Sequence, residues 1–441
     1  MQLHIGIDDT DSRKGGCTTY IAARLVETIA TMGVRFTDFP NIIRLNPNIP
    51  YKTRGNAAVA LRVEVPNGDY ELVREAVLHE VEESSEFGRA GTDPAVVFVK
   101  GHPPRRIVQF SHRALWDVLR DEDAIRIIKS TQKSAAAYGT ALGLVGALAA
   151  VGQTMDGDHT FELVAYRTKP NWGTTRRVDE RSVKRMDRLT TPKTFNNYDF
   201  ENDRMLITPH GPDPVLLGIR GETPTVVRKA FSMVRIHEPV ERWVIFRTNH
   251  GTDAHLKWIP SNRPIEPDRP VVLKGTVGDL PWRIPGGHVF FTLHHQAEEW
   301  NCAAFEPTGK FRKIVANLLP GDQVTVYGGA KKTQANHSLT INLEKIMIHR
   351  LVKKRDLENP LCPSCYKHMK SAGRGQSFRC RKCSITLPKS RKIVTTELRS
   401  MSPGLYVPAL KAHRHLTKPL SRYGLERRWD HHPPSGKWHN P

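Results

Sequence analysis

Four thiols fall into two pairs, Cys362-Pro-Ser-Cys365 and Cys380-Arg-Lys-Cys383, with 14 residues between them. Each CxxC pair sets two thiolates on one side of a tight turn. Together the four close a tetrahedron around Zn²⁺ at about 2.3 Å per Zn–S bond, with no position open for substrate. Such a site is structural, and a ribbon this small cannot bury a sufficient core without its metal. A second group, Asp8, Asp9 and Asp11, follows a short apolar run, Leu3–Ile7. Carboxylates so close repel one another unless a cation sits among them, and Mg²⁺ is the hard ion that shares carboxylate oxygens with substrate phosphates. Thr18 and Thr19 then open a helical pattern, where free N–H groups and the positive end of the dipole favour phosphate. Lys14, Gly15 and Gly16 precede them with a cation and room for close backbone approach, and Lys52-Thr53-Arg54-Gly55-Asn56 is a second basic loop that could clamp the same phosphates. The same pattern also fits a capped helix beside a solvated acidic loop.

No GxxxxGK[ST] loop or protein-kinase motif set occurs, so any nucleotide chemistry is of another type. Asp9 after a strand could instead be the nucleophile of an aspartyl-phosphate phosphohydrolase, a reading that leaves the basic C-terminal half unexplained. Farther on, Trp282, Phe290, Phe291 and Trp300 are candidate platforms for unpaired bases. Core filling is the alternative, and alternation turns one of Phe290 and Phe291 inward. Lys331, Lys332, Arg414, Arg427 and Arg428 suit phosphate contacts better than base reading.

The elements that would carry these groups follow from periodicity. Leu3–Ile7, a polar loop, and Ile21, Leu25, Val26 and Ile29 at helical spacing give strand, loop, helix. Ala57–Val65 and Ala95–Val99 read as strands, and Tyr70–Glu83 and Val118–Lys129 as helices, making an α/β unit that ends near Lys133. From Ser134 a small-residue helix leads to a strand at Phe161–Tyr166 and a long polar stretch, Thr168–Asp203. Strands at Met205–Ile207, Val215–Ile219 and Trp243–Phe246 and a helix at Thr225–Met233 complete a pattern suited to a ferredoxin-like α+β unit. Prolines 260, 264, 267 and 270 mark a linker. Beyond it, five short strands with a helix at Phe311–Leu319 between the third and fourth have the order of an OB-fold.

Composition agrees with a catalytic unit attached to a polyanion-binding apparatus. The 441 residues carry 66 Lys+Arg against 45 Asp+Glu, a formal charge of +21. Residues 1–130 hold 18 acidic and 17 basic side chains, leaving 49 basic and 27 acidic for the rest. Nucleic acid is the favoured polyanion, with an anionic membrane surface as the alternative. Six cysteines are too few for a disulfide framework. Met1–Gly6 has no basic n-region and does not read as a signal peptide. Ala135–Gly152, mostly Ala and Gly, reads as a packed internal helix and not a membrane span. The protein is expected to be cytoplasmic. Residues 384–441, with 11 Lys+Arg and 3 acids, read as an arm that orders on its ligand.

Ile5-Gly6-Ile7-Asp8-Asp9-Thr10-Asp11-Ser12 with Gly16-Cys17-Thr18-Thr19-Tyr20 resembles the opening of archaeal tRNA 2-agmatinylcytidine synthetases. Arg54-Gly55-Asn56, Gly143–Leu148, Thr208–Pro214 and the zinc pattern extend the resemblance over nearly the whole chain. It implies a kinase-like ATP-dependent catalytic domain (1–133), a ferredoxin-like agmatine-binding domain (134–262), an OB-fold nucleic-acid-binding domain (268–350) and a zinc ribbon (351–390), followed by a basic tail (391–441). The implied activity is a ligase reaction on the wobble cytidine of a CAU-anticodon isoleucine tRNA. ATP is cleaved to AMP and phosphate, Thr18 is autophosphorylated, and O2 of the cytosine is phosphorylated and displaced by the primary amine of agmatine, so that AUA is decoded. By the same resemblance Asp8, Asp9 and Asp11 hold Mg²⁺, and Lys14, Gly15, Gly16, Thr19, Lys52 and Arg54 bind ATP. Agmatine, a dication with a planar guanidinium, needs a fork of carboxylate or carbonyl oxygens. Asp199, Asp203, Asp213 and Glu222 and the turn Thr208-Pro209-His210-Gly211 offer them, the alternative being a merely rigid turn. Trp282, Phe291, Lys331 and Lys332 are the expected tRNA contacts, and no obligate protein partner is evident. A non-catalytic nucleic-acid-binding protein is the competing class; it predicts that Asp8→Ala and Thr18→Ala change nothing.

Overall fold

The computed structural model describes the chain except residues 53–54, 67, 261–263, 333–337, 374–375 and 389–392, and the side chains of 355–357 and 393–396. The first strand, β1 (Gln2–Asp8), alternates aliphatic residues with polar ones and glycine. Leu3, Ile5 and Ile7 point to one face and Gly6 to the other, where an added Cβ would fall 2.0 Å from the Ala147 carbonyl oxygen. Both faces are therefore covered, one by α1 (Thr18–Thr31) and the other by a closely docked small-residue helix. In chain order follow β2 (Asn41–Arg44), β3 (Ala57–Glu64), α2 (Tyr70–Ser84), β4 (Ala95–Lys100), α3 (Arg105–Ala114), α4 (Asp121–Thr131), β5 (Ser134–Ala137) and α5 (Gly143–Gly152). Val59, Leu61 and Val63 of β3 pack with α1 and α2, while Ala58 and Ala60 pack with α3, α4 and α5, as period-two alternation requires.

Helix α3 is not expected from the sequence. Within RRIVQFSHRA the large apolar residues on the buried face are Ile107 and Phe110, a stripe easily lost among the charges. The segment read as one helix from Ser134 is a strand, β5, followed by α5, and α5 buries its alanines against β1, β3 and β4. Among the described residues no helix is long and apolar enough to cross a membrane.

β6 (Thr160–Arg167), α6 (Glu180–Thr190), β7 (Val215–Gly221), α7 (Pro224–Met233) and β8 (Val240–Thr248) continue the same sheet. The order is β5-β4-β1-β3-β2-β8-β6-β7, joined at its middle by the parallel pair β2–β8 and antiparallel elsewhere along this path. Helices α6 and α7 cover one face of β6–β8. On the other face Val164, Tyr166, Val244 and Phe246 reach the core around α1, and the Tyr166 hydroxyl donates to the Thr19 carbonyl at 2.8 Å. Helix α6 lies inside the stretch expected to be polar loop; Val183 and Met186 are its large buried side chains.

Strands β9 (Pro270–Val277), β10 (Val289–His295), β11 (Glu298–Ala304), β12 (Gln323–Lys332) and β13 (Leu339–Arg350), with α8 (Phe311–Ala316) after the third, close a five-stranded barrel. β10 returns to pair with β9, and β11 runs parallel to β13, which is the strand order expected of an OB-fold. A ribbon of three two-residue strands around the four cysteines follows the barrel.

The tail is packed on the rest of the chain: β14 (Gly404–Tyr406) pairs with β13, and β15 (His439–Asn440) pairs with β8. Its basic residues find acids in the rest of the chain. Arg422 is fully buried, with Nε 2.5 Å from Glu222 Oε1 and Nη2 3.0 Å from Asp158 Oδ1.

Candidate active site

The acidic loop begins where β1 ends. Asp9 adopts φ 58° and Gly16 φ 72°; at Gly16 a Cβ would also meet the Glu86 side chain at 2.8 Å. The Ser12 hydroxyl accepts from the amides of Lys14 and Gly15 at 3.0 and 3.2 Å, closing a tight turn. The far side of the loop is pinned to the segment before β4: the Thr92 hydroxyl donates to the Asp11 carbonyl at 2.9 Å, and the Asp93 amide to Asp9 Oδ2 at 3.1 Å. Thr18, 6% exposed, is the first residue of α1, and its Oγ accepts from the Thr10 hydroxyl at 3.0 Å. Thr18 thus sits where helix N–H groups and dipole favour a phosphoryl group.

Asp8 lies against the first turn of α5, where a Cβ on Gly146 would fall 1.7 Å from its Oδ2. Burial, and then the charges of Asp9 and Asp11, push the Asp8 carboxyl well above the usual range. A divalent cation placed among these carboxylates would relieve the repulsion.

These groups face a cavity of about 370 Å³ whose walls come from both halves of the sheet. Asp8, Asp9, Asp11, Thr18 and Thr19 form one side. Leu206, Ile207, Pro209, Asp213 and Val215 form a second, held by Arg176, whose Nη2 donates to the carbonyls of Gly211 and Asp213 at 3.0 and 3.1 Å. The third side escapes a reading of the sequence. Glu162 on β6 is buried, 2.9 Å from Arg220 Nε and 4.0 Å from Arg44 Nη2, with His250 Nδ1 at 3.7 Å. His415 of the tail lies edge-on to His250, ring centres 5.0 Å apart, and also lines the cavity. Burial alone would raise the Glu162 carboxyl, but Arg220, His250 and Arg44 outweigh it and hold it well below the usual range. Burial and Arg220 push His250 down to about 3, and Arg44 with burial keeps His415 neutral as well.

Not every expected residue arrives here. Lys52 lines the cavity, whereas Lys14 is exposed and Gly15 and Gly16 stand behind the acidic loop. Arg54 lies outside the described residues. Asp213 and Pro209 line the cavity, with Thr208, His210 and Gly211 on the same turn but outside the lining. His210 Nε2 faces outward to Arg204 Nη2 at 2.7 Å. Asp203 is exposed and engaged by Lys184 and Tyr198, and Glu222 is taken up by Arg422 of the tail; neither reaches the cavity. Asp199 accepts from the amides of Glu201 and Asn202, capping a local turn.

On the barrel, Phe291 is fully buried in the core and cannot stack a base; Phe290, its neighbour on the outer face, stacks on Trp282 at 5.9 Å and 19°. Trp282 is 40% exposed. Lys331 is paired with Asp268, and Lys332 is exposed. The ligand atoms of Cys362, Cys365, Cys380 and Cys383 all lie within 4.8 Å of one another, with Cys365 and Cys380 Sγ 3.5 Å apart. Four thiolates at that spacing are the donor set of structural Zn²⁺.

Family models match residues 4–75 as a TiaS TCKD domain, 142–255 as a TiaS FLD domain and 359–399 as a TiaS C-terminal zinc ribbon domain. The isoleucine-tRNA 2-agmatinylcytidine synthetase TiaS of Staphylothermus marinus is 42% identical over 98% of this chain and 95% of its own length. That of Archaeoglobus fulgidus is 43% identical over 97% and 99%. Among solved structures, a complex of TiaS with its isoleucine tRNA and ATP superposes with a TM-score of 0.87 at 41% identity, covering 96% of this chain and 97% of that one. A complex of TiaS with the same tRNA, AMPCPP and agmatine does so at 0.84 and 39%, with the same coverage. With matches of this identity over nearly its full length, the chain belongs to the TiaS family of isoleucine-tRNA 2-agmatinylcytidine synthetases.

Proposed function

We propose that this protein is an ATP-dependent ligase that converts the wobble cytidine of a CAU-anticodon isoleucine tRNA to 2-agmatinylcytidine. The observation that carries the reading is one cavity joining the Asp8–Asp9–Asp11–Thr18 wall to the Pro209–Asp213 turn. Relatives covering nearly the whole chain, one of them solved with tRNA, an ATP analogue and agmatine, support it.

A carbonyl oxygen is a poor leaving group. Transfer of a phosphoryl group from ATP to O2 of the cytosine makes it a good one, the remaining diphosphate being cleaved by water to AMP and phosphate; the amine of agmatine then attacks C2 and gives up a proton, the C–O bond breaks and phosphate departs. Asp8, Asp9 and Asp11 would hold Mg²⁺, which supplies charge neutralisation for the triphosphate. Thr18, Thr19 and Lys52 orient phosphates, so that this wall works by positioning and electrostatics. Arg54 completes the ATP side of the proposal, and Lys14, Gly15 and Gly16, outside the cavity lining, drop out of it. Asp213 and carbonyls of the Thr208–Gly211 turn take the guanidinium of agmatine, and Asp203 and Glu222 drop out because their partners lie elsewhere. Trp282, Lys331 and Lys332 contact the tRNA, with Phe290 in place of Phe291.

The unit around β1 corresponds to the kinase-like catalytic domain, and that around β6–β8 to the ferredoxin-like domain, an assignment supported by its antiparallel strands under α6 and α7. The barrel is the nucleic-acid-binding domain. Working on tRNA, the enzyme operates in the cytoplasm.

The test combines purified protein, labelled ATP, agmatine and a CAU-anticodon tRNA transcript. Modification should require agmatine and Mg²⁺ and be lost in Thr18→Ala, whose melting curve stays within a few degrees of the parent. Full modification by Thr18→Ala would overturn the role given to Thr18, and modification without agmatine the reaction itself.

A further inference from the structure

A second cavity, of about 510 Å³, adjoins the first and shares Arg44, Lys52, Gly55 and His415 with it. Three separate parts of the chain build it: the loop after β2, the end of β12 and the tail at 413–416. Its charge is of one sign. Arg44, Lys52, Lys331 and Arg414 line it, and among the described residues no Asp or Glu does, whereas the first cavity is lined by five aspartates and Glu162.

Arg44 is compensated by Glu162 in the first cavity, and the neutralisation of Lys331 and Arg414 comes from behind the walls. Lys331 is paired with Asp268, Arg414 lies 3.4 Å from Glu344, and Glu344 also serves His255 at 2.9 Å. Burial, then Arg414 and Lys331, push the Lys52 ammonium down to about 8. Asn48, 1% exposed, accepts from Arg414 through Oδ1, while its Nδ2 is buried with no hydrogen-bond partner among the described residues. Arg44 Nε is likewise buried and, among those residues, unpartnered. Unused donors beside crowded cations call for an anion, since an unmet buried donor is costly. Agmatine, a dication, is excluded by charge.

We infer that this second cavity holds a phosphodiester of the RNA next to the nucleotide whose base enters the first, with Asn48, Lys331 and Arg414 as its donors. The inference rests on the proposed function for the polymer it names. The phosphates of ATP have their own place at the acidic loop and helix α1, reached by Lys52 from the wall that the two cavities share. A strand whose base fills one cavity must carry its backbone along the rim, and the rim here is the basic second cavity.

The test uses the full chain and a fluorescent CAU-anticodon stem-loop carrying single neutral methylphosphonates on either side of the wobble nucleotide. One such substitution should weaken binding about tenfold, the range of a lost hydrogen bond to a charged group. Asn48→Asp should weaken binding of the unmodified loop by a similar factor and lower the slope of log affinity against log salt by about 1. It should also remove the penalty of the methylphosphonate, while AMP-PNP affinity stays as in the parent. If Asn48→Asp fails to fold by circular dichroism, Lys331→Gln carries the same comparison. Tolerance of the neutral linkage at every flanking position, full additivity with the variant, or a parallel loss of AMP-PNP binding would each overturn the inference. A loop that is bound this way but never modified with ATP and agmatine would sink the proposed function and leave the phosphate site standing.

Discussion

Glu162 compensates two guanidiniums at once, and a substitution there shows how much of the cavity is electrostatic frame. Glu162→Gln leaves Arg44 and Arg220 buried without a counter-charge and should destabilise the protein by about 3–5 kcal/mol, the cost of breaking a buried pair from one side. The sign with pH follows from the depressed carboxyl. Its stabilisation is complete above its ordinary value of 4.5 and is lost as pH falls through the lower folded value. Urea unfolding between pH 7 and 3 should therefore show a shallower acid limb in Glu162→Gln than in the parent. The sequence exposes the acidic wall because Asp8, Asp9 and Asp11 are adjacent and follow a strand. It hides Glu162, Arg220, Arg44, His250 and His415 because each is a single polar residue, far apart along the chain. Only β6, β7, β2, the turn after β8 and the tail folded together make them neighbours.

At the scale of the element, parity and periodicity decide what can be read. Alternation in β10 establishes that one of Phe290 and Phe291 faces outward but not which, and closure of the barrel around Phe291 settles it. Phe291→Ala should cost about 3–5 kcal/mol in barrel stability by emptying a filled core. Phe290→Ala should leave the melting temperature nearly unchanged and weaken stem-loop binding by about 1–3 kcal/mol, one lost stacking surface. The reverse pattern in paired melting and anisotropy measurements would mean that the barrel presents a different face. Helix α6 is hidden for a related reason: a stripe carried by Val183 and Met186 among charges gives too little apolar signal for a periodic search. The strands of the barrel, carried by short apolar runs, are plain.

For the whole molecule, the tail is the largest departure from a reading by composition. Rich in Arg and Lys and poor in acids, it has the profile of a solvated arm, yet Arg422 is anchored by Glu222 and Asp158, and Lys418 by Asp158 and Glu426. The partners of Arg422 sit 200 and 264 residues away along the chain, so no local window could match them. Arg422→Ala should strand two acids and cost about 3–5 kcal/mol. It should also raise the KM for the tRNA, because His415 and Arg414 hang on the same anchor. A variant that melts early but keeps its KM would show the anchor to be structural only.

His415 gives this wrapping a temporal meaning. It is made after every other residue that lines the catalytic cavity, and β15 adds its strand to a sheet whose other members emerged long before. A nascent chain with this segment still inside the ribosome has its acidic loop, its turn and its barrel but an open-sided pocket. The His415 side of the cavity is therefore closed only once the tail has cleared the exit tunnel.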